Sequence, residues 1–139
     1  MRVGEGRIRP RIVLAEENPQ IRKFVADIIG VDCQIVEVVS DGPSAVNAVA
    51  LYHPDIILID LVLPQLDGIQ VARCLRGASC KVIIVTILED RDYISAALSV
   101  GAVGYVFKRR LVRDIPLAIQ DVMSGRVFVS SATSRETES

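Results

Sequence analysis

Four apolar segments of this 139-residue chain each run into a side chain that can handle a phosphoryl group or a hard cation. "RIVLAE" (11–16) leads into Glu16-Glu17, "DIILID" (55–60) closes on Asp60, "KVIIVT" (81–86) on Thr86 and "GYVFK" (104–108) on Lys108. Three carboxylates brought together in a partly desolvated place raise one another's pKa, so a cation belongs with them. Hard carboxylate oxygens with few other protein ligands suit Mg²⁺, which keeps several waters and commonly bridges to phosphate; Mn²⁺ is the natural substitute. A lysine ammonium neutralises phosphate oxygens and a threonine hydroxyl donates to one. Beside a polarising metal, an aspartate can attack phosphorus and form an acyl phosphate.

For these groups to meet, the segments must lie side by side with their ends at one edge. A fifth segment, "QIVEVV" (34–39), alternates less cleanly and fits nearer an edge of a sheet. Segments 55–60 and 81–86 are apolar on both faces, as strands covered by helices on both sides should be. Between the strands lie stretches of helical period at 19–29, 43–52, 66–76, 90–100 and 114–124. Asn18, Asp41 and Asp114, each shortly ahead of a proline, are read as N-terminal caps. Gly30, Gly77, Gly101 and Gly125 follow helical stretches, where a left-handed residue is expected. Strict alternation predicts an α/β fold, a (βα)5 doubly wound parallel sheet with right-handed crossovers. Ligands of such sheets bind outside the carboxyl ends of the strands, where all four polar termini fall.

Composition narrows the function classes. With 16 basic and 17 acidic residues the net charge is −1, so no overall field recruits nucleic acid or an anionic membrane. The basic run "KRRLVR" (108–113) lacks interleaved aromatics and reads as a solvated loop, Lys108 excepted. Cys33, Cys74 and Cys80 show no CxxC spacing, and His53, at a helix end before Pro54, reads as structural, so neither a disulfide frame nor a zinc site is indicated. No apolar run spans a membrane and the N-terminus lacks a signal-peptide core, which predicts a cytoplasmic location. The organisation expected is an N-terminal arm over 1–10, one domain over 11–129, and a flexible tail or linker start over 130–139.

"IVLAEENPQIRKFV", "PDIILIDLVLPQLDGIQVARCLR", "KVIIVTILEDRDYISAALSVGAVGYVFK" and "AIQDVMSG" together resemble the receiver domain of two-component response regulators. "GAVGYVFK" with the later "SGRVFVS" is similar to receivers of the branch carrying a helix-turn-helix output domain. The resemblance implies a flavodoxin-like sheet of order 2-1-3-4-5. It implies Asp60 as phosphoacceptor for a sensor histidine kinase, and Mg²⁺ held by Glu17, by Glu16 through water, by Asp60 and by the Val62 backbone carbonyl. Thr86 and Lys108 then grip the phosphoryl oxygens, and Tyr105 changes rotamer with Thr86. It further implies a homodimer or partner contact through the helix 4, strand 5 and helix 5 face, and DNA contact only through an output domain outside this chain. The protein would be a phosphoacceptor and not an enzyme.

Three features depart from the pattern. The acidic pair is Glu-Glu, each one methylene longer than aspartate, which bears on metal geometry and affinity. Ile87 stands where a small residue is preferred and narrows the approach of a donor imidazole, which implies slow phosphorylation. Arg109 follows Lys108 in place of the frequent proline, which the helix-turn-helix branch often lacks too. An alternative reading is a receiver-like interaction module with weak or no phosphotransfer. A small flavodoxin-like enzyme is disfavoured, because no Gly-rich phosphate loop follows the first strand and Val62 replaces the second acid of a DxD phosphatase signature.

Overall fold

Every residue of the segment Ile56–Asp60 is buried, and it forms the middle of a parallel sheet. The computed structural model describes residues 9–131. In chain order the elements are β1 Arg11–Ala15, α1 Pro19–Ile29, β2 Gln34–Val39, α2 Gly42–Tyr52, β3 Ile56–Asp60, α3 Gly68–Cys74, β4 Lys81–Thr86, α4 Arg91–Ser99, β5 Gly104–Phe107, α5 Leu111–Met123 and β6 Phe128–Val129. A single 3-10 turn, Lys108–Arg110, joins β5 to α5. The sheet order is β2-β1-β3-β4-β5-β6, all pairs parallel. The expected order is present, with β2 at the edge and one unexpected strand, β6, added beyond β5.

Alternation along the strands sorts the core into two layers. Val13, Ile57, Ile59, Val82, Ile84, Tyr105 and Phe107 pack with α2, α3 and α4 on one face. Ile12, Leu14, Ile56, Leu58, Ile83, Val85 and Val106 pack with α1 and α5 on the other. Both faces of the central strands are therefore covered, which explains their unbroken runs of Val, Ile and Leu.

The helix boundaries agree with the punctuation except in two places. Asn18 and Asp41 accept hydrogen bonds from the first-turn amides of α1 and α2. Asp114 does not cap: α5 begins three residues earlier, and Asp114 lies buried in its first turn with its carboxylate paired to Arg110. Gly30 closes α1 in the right-handed region (φ −61), whereas Gly77, Gly101 and Gly125 have positive φ. His53 ends α2 at φ 49, its N–H donating to the Val49 carbonyl, which bears out its structural reading. Of the expected arm, Arg9 donates to the Cys33 carbonyl at 2.7 Å, while residues 1–8 lie outside the described residues. Of the expected tail, Ser130 is buried and residues 132–139 lie outside the described residues.

The loop after β3 is held by one close approach. Asp67 caps α3 in a reciprocal pair with Gln70, and the Gly68 amide donates to the Leu61 carbonyl at 2.8 Å. A Cβ at Gly68 would stand 2.8 Å from the Asp60 carbonyl oxygen and 2.9 Å from the Leu61 Cα, both backbone atoms unable to swing aside. Gly68→Ala should therefore destabilise the fold by about 2 kcal/mol in urea denaturation, the usual cost of overpacking. A loss below about 0.5 kcal/mol, within the range of an ordinary surface change, would show that the β3–α3 loop yields freely.

Candidate functional site

Layer parity decides which polar strand ends meet. Glu16 continues the alternation of Ile12 and Leu14, Asp60 that of Ile56 and Leu58, and Lys108 that of Val106, so all three emerge on the α1/α5 side. There the Lys108 ammonium sits 2.9 Å from Asp60 Oδ2 and 3.0 Å from Glu16 Oε1. The other carboxylate oxygens are also engaged: Asp60 Oδ1 accepts from the Val62 amide at 3.2 Å, and Glu16 Oε2 from the Asn18 amide at 3.1 Å. Glu16 is thereby tied to the residue that caps α1.

Burial alone would lower the Lys108 pKa, but its hydrogen bonds to Asp60 and Glu16 and their negative charges outweigh that and raise it. The ammonium thus stays charged at neutral pH and neutralises two carboxylates that repel each other. Glu16, Glu17, Asp60, Val62, Ile87 and Lys108 together line an open cleft of about 650 Å³, with the start of α1 on one side. Glu17, Val62 and Ile87 are exposed at its rim, and the Ile87 side chain stands out into solvent.

Thr86 and Tyr105 belong to the opposite layer. Thr86 follows the alternation of Val82 and Ile84, is fully buried and does not line the cleft; its Oγ1 accepts from the Leu88 amide at 3.3 Å. Tyr105 is also fully buried, and its hydroxyl donates to the Leu88 carbonyl at 2.7 Å. Both converge on the backbone of Leu88 in the β4–α4 loop, a residue that sequence reasoning passed over because its role depends on no side-chain chemistry.

Sequence reasoning also missed a buried network. Arg110, read as part of a solvated basic loop, is only 9% exposed and pairs through Nε with Asp114 Oδ2 at 2.9 Å. Ser130 Oγ donates to the same oxygen at 2.6 Å and accepts from the Phe107 amide at 3.1 Å. The spacing of Arg110 and Asp114, one helical turn apart, was the available signal. Elsewhere in the run, Arg109 pairs with Glu89 at 2.7 Å and lies over the Phe107 ring.

Burial, reinforced by Asp90, Tyr93, Glu89 and Asp60, pushes the Tyr105 hydroxyl from 10.0 up to about 12. Tyr105 and Lys108 both favour their protonated forms when folded, so the stability they add is present at neutral pH and is lost as pH rises past their ordinary values. Thermal melts should show a fall in stability between pH 10 and about 12. Tyr105→Phe should flatten part of that fall while costing about 1 kcal/mol at pH 7 for the lost hydrogen bond. An unchanged alkaline profile would contradict the assignment.

Comparison with known proteins agrees with this geometry. A model of the response regulator receiver domain matches residues 12–120. Transcriptional regulatory protein DegU of Brevibacillus brevis is 32% identical over 132 residues, 91% of this chain and 55% of that protein. Oxygen regulatory protein NreC of Staphylococcus aureus (strain JH9) is 30% identical over 124 residues, 86% of this chain and 57% of that protein. The solved structure of a LuxR-family two-component response regulator from Aurantimonas sp. SI85-9A1 superposes with a TM-score of 0.86 at 26% identity, covering 93% of this chain and 95% of that one. The chain spans a little over half the length of the curated relatives it matches. With parallel sheet order, cleft position and residue match in agreement, the chain belongs to the response regulator receiver domain family.

Proposed function

We propose that this receiver takes a phosphoryl group onto Asp60 from a phosphohistidine of a sensor histidine kinase. The observation that carries the reading is the Lys108 ammonium held between Asp60 and Glu16 inside an open cleft. An Asp60 carboxylate oxygen forms the new P–O bond as the P–N bond breaks, and the imidazole leaves with the electron pair. Lys108 is already charged and within reach, so it can exchange a carboxylate oxygen for a phosphoryl oxygen without crossing the site. Thr86 and Tyr105 take part only if the Leu88 loop rearranges, since both now hold its backbone. That makes the loop the bistable element, with the α4, β5 and α5 face as its output surface.

Among the described residues no three His, Cys, Asp or Glu side chains are grouped to hold a metal by themselves. The donors at the cleft are nonetheless all oxygen, and Glu17 has no ion pair or hydrogen bond within the described residues, so the set fits a hard cation completed by water. Glu17, Asp60 and the Val62 carbonyl would hold Mg²⁺ or Mn²⁺, with Glu16 reaching it through water. The ion would supply charge neutralisation at the phosphoryl oxygens.

The printed descriptions of the relatives, a transcriptional regulatory protein and LuxR-family regulators, support transcriptional output through a DNA-binding domain outside this chain. The receiver runs from residue 11 through the buried Ser130, one residue past the expected boundary, and a homodimer through its α4, β5 and α5 face is the proposed active assembly. Among the described residues no helix is long and apolar enough to cross a membrane; a cytoplasmic location is the proposed one.

Incubation with acetyl phosphate and Mg²⁺ should add one hydroxylamine-labile phosphoryl group by mass spectrometry. Asp60→Asn or chelation of the metal should abolish it; wild type that never labels at high donor concentration would sink the reading. Ile87→Ala should speed transfer from a histidine-phosphorylated donor a few-fold, roughly 1 kcal/mol of barrier, by clearing the rim. An equal or slower rate would show that the rim does not limit approach.

A further inference from the structure

We propose that Ser130 and Asp114 are positioning residues for Lys108, so that the segment leaving α5 is part of the phosphoryl-transfer apparatus. This deepens the reading of Asp60 as phosphoacceptor and rests on it. Lys108 lies just past β5, and its pairing with β4 ends at Thr86 and Phe107, so the β4–β5 ladder does not hold it. On the other side β6 pairs only Phe128 and Val129 with Gly104 and Tyr105, and the Ser130 amide then donates to the Tyr105 carbonyl at 2.8 Å. Where the ladder stops, the Ser130 side chain continues it: Oγ accepts the Phe107 N–H and donates to Asp114 Oδ2. Asp114 Oδ2 also receives Arg110 Nε.

Lys108 is therefore bracketed. The residue before it and the residue two places after it are both tied to one buried Ser130–Asp114 pair. Ser130, Asp114 and Arg110 are 4%, 3% and 9% exposed, so water cannot replace a lost partner cheaply. A long flexible ammonium can span from β5 to both Asp60 and Glu16 only if its backbone is fixed, and the 3-10 turn Lys108–Arg110 is fixed from this side. Because β5 and β6 are parallel, the same contact hands the exit of the chain to the carboxyl edge of the sheet, beside the cleft.

The test is a double-mutant cycle on the full 139-residue chain, reading the rate of labelling by acetyl phosphate with Mg²⁺. Ser130→Ala should lower the maximal rate roughly tenfold with little change in the half-saturating donor concentration, less than the ~100-fold that a 1 Å misplacement can cost. Ser130→Thr, which keeps the hydroxyl, should restore the rate to within about twofold on the same argument. In a Lys108→Ala background, Ser130→Ala should slow labelling no further. Amide hydrogen exchange at Phe107 should accelerate in Ser130→Ala while the thermal midpoint shows a folded protein. If Ser130→Ala does not fold, Asp114→Asn carries the same cycle. A wild-type rate in Ser130→Ala, or an equal loss in both backgrounds, overturns the proposal. Labelling of Lys108→Ala at the wild-type rate overturns instead the role given to Lys108 in the reading beneath it.

Discussion

The ammonium of Lys108 meets Glu16 and Asp60 at the carboxyl edge of the sheet, and the surrounding structure is arranged to hold that meeting in place. Each of the three groups is mostly withdrawn from water, and ions so placed are costly unless their partners are present. Removing the cation would leave two carboxylates facing each other, a loss of about 3–5 kcal/mol by analogy with broken buried pairs. Here the geometry is supplied by three parallel strands that end together at one edge of the sheet.

Alternation then divides the labour. Glu16, Asp60 and Lys108 share one face, where α1 leaves room beside the strand ends, while Thr86 and Tyr105 share the other, beneath the β4–α4 loop. The first set lines the floor of the open cleft and is suited to binding charge. The second is sealed, and each member is satisfied by a backbone group of Leu88, so it holds the β4–α4 loop in one conformation. A group bound at Asp60 that draws Thr86 toward it must break the Leu88 amide contact, and Tyr105 shares that residue. The two sets thus lie on opposite faces of one sheet.

Much of this was legible in the residues. The central strands declared themselves because only double-sided burial explains "DIILID" and "KVIIVT", and proline with Asn18 or Asp41 marked two helix starts through chemistry local to a few residues. Glu16, Asp60, Thr86 and Lys108 stood out because each ends or directly follows a strand, whereas Glu17, Val62, Tyr105 and Ile87 came from the family resemblance. What stayed hidden depends on tertiary partners: Asp114 looks like a cap beside Pro116, yet its carboxylate is used by Arg110 and by Ser130, sixteen positions on. β6 is two residues long and has no period to detect. The parity that parts Thr86 from Asp60 was present in the sequence, since counting back by twos from each strand end reveals it once the core faces are known.

β5 is where these lines cross. Its four residues pair with β4 on one side, Gly104 and Tyr105 pair with β6 on the other, its Tyr105 hydroxyl holds the Leu88 loop, its Tyr105 carbonyl holds Ser130, and the next residue out is Lys108. A shift of this strand cannot be local, because packed interiors move between discrete arrangements and do not deform smoothly. Through the proposed Ser130 contact, a ligand that prefers one setting of Lys108 would alter how firmly Ser130 is docked, and by reciprocity a change at Ser130 would alter the affinity of the cleft by the same factor. That coupling would need no long pathway, since Lys108 and Ser130 follow adjacent strands, β5 and β6, at one sheet edge.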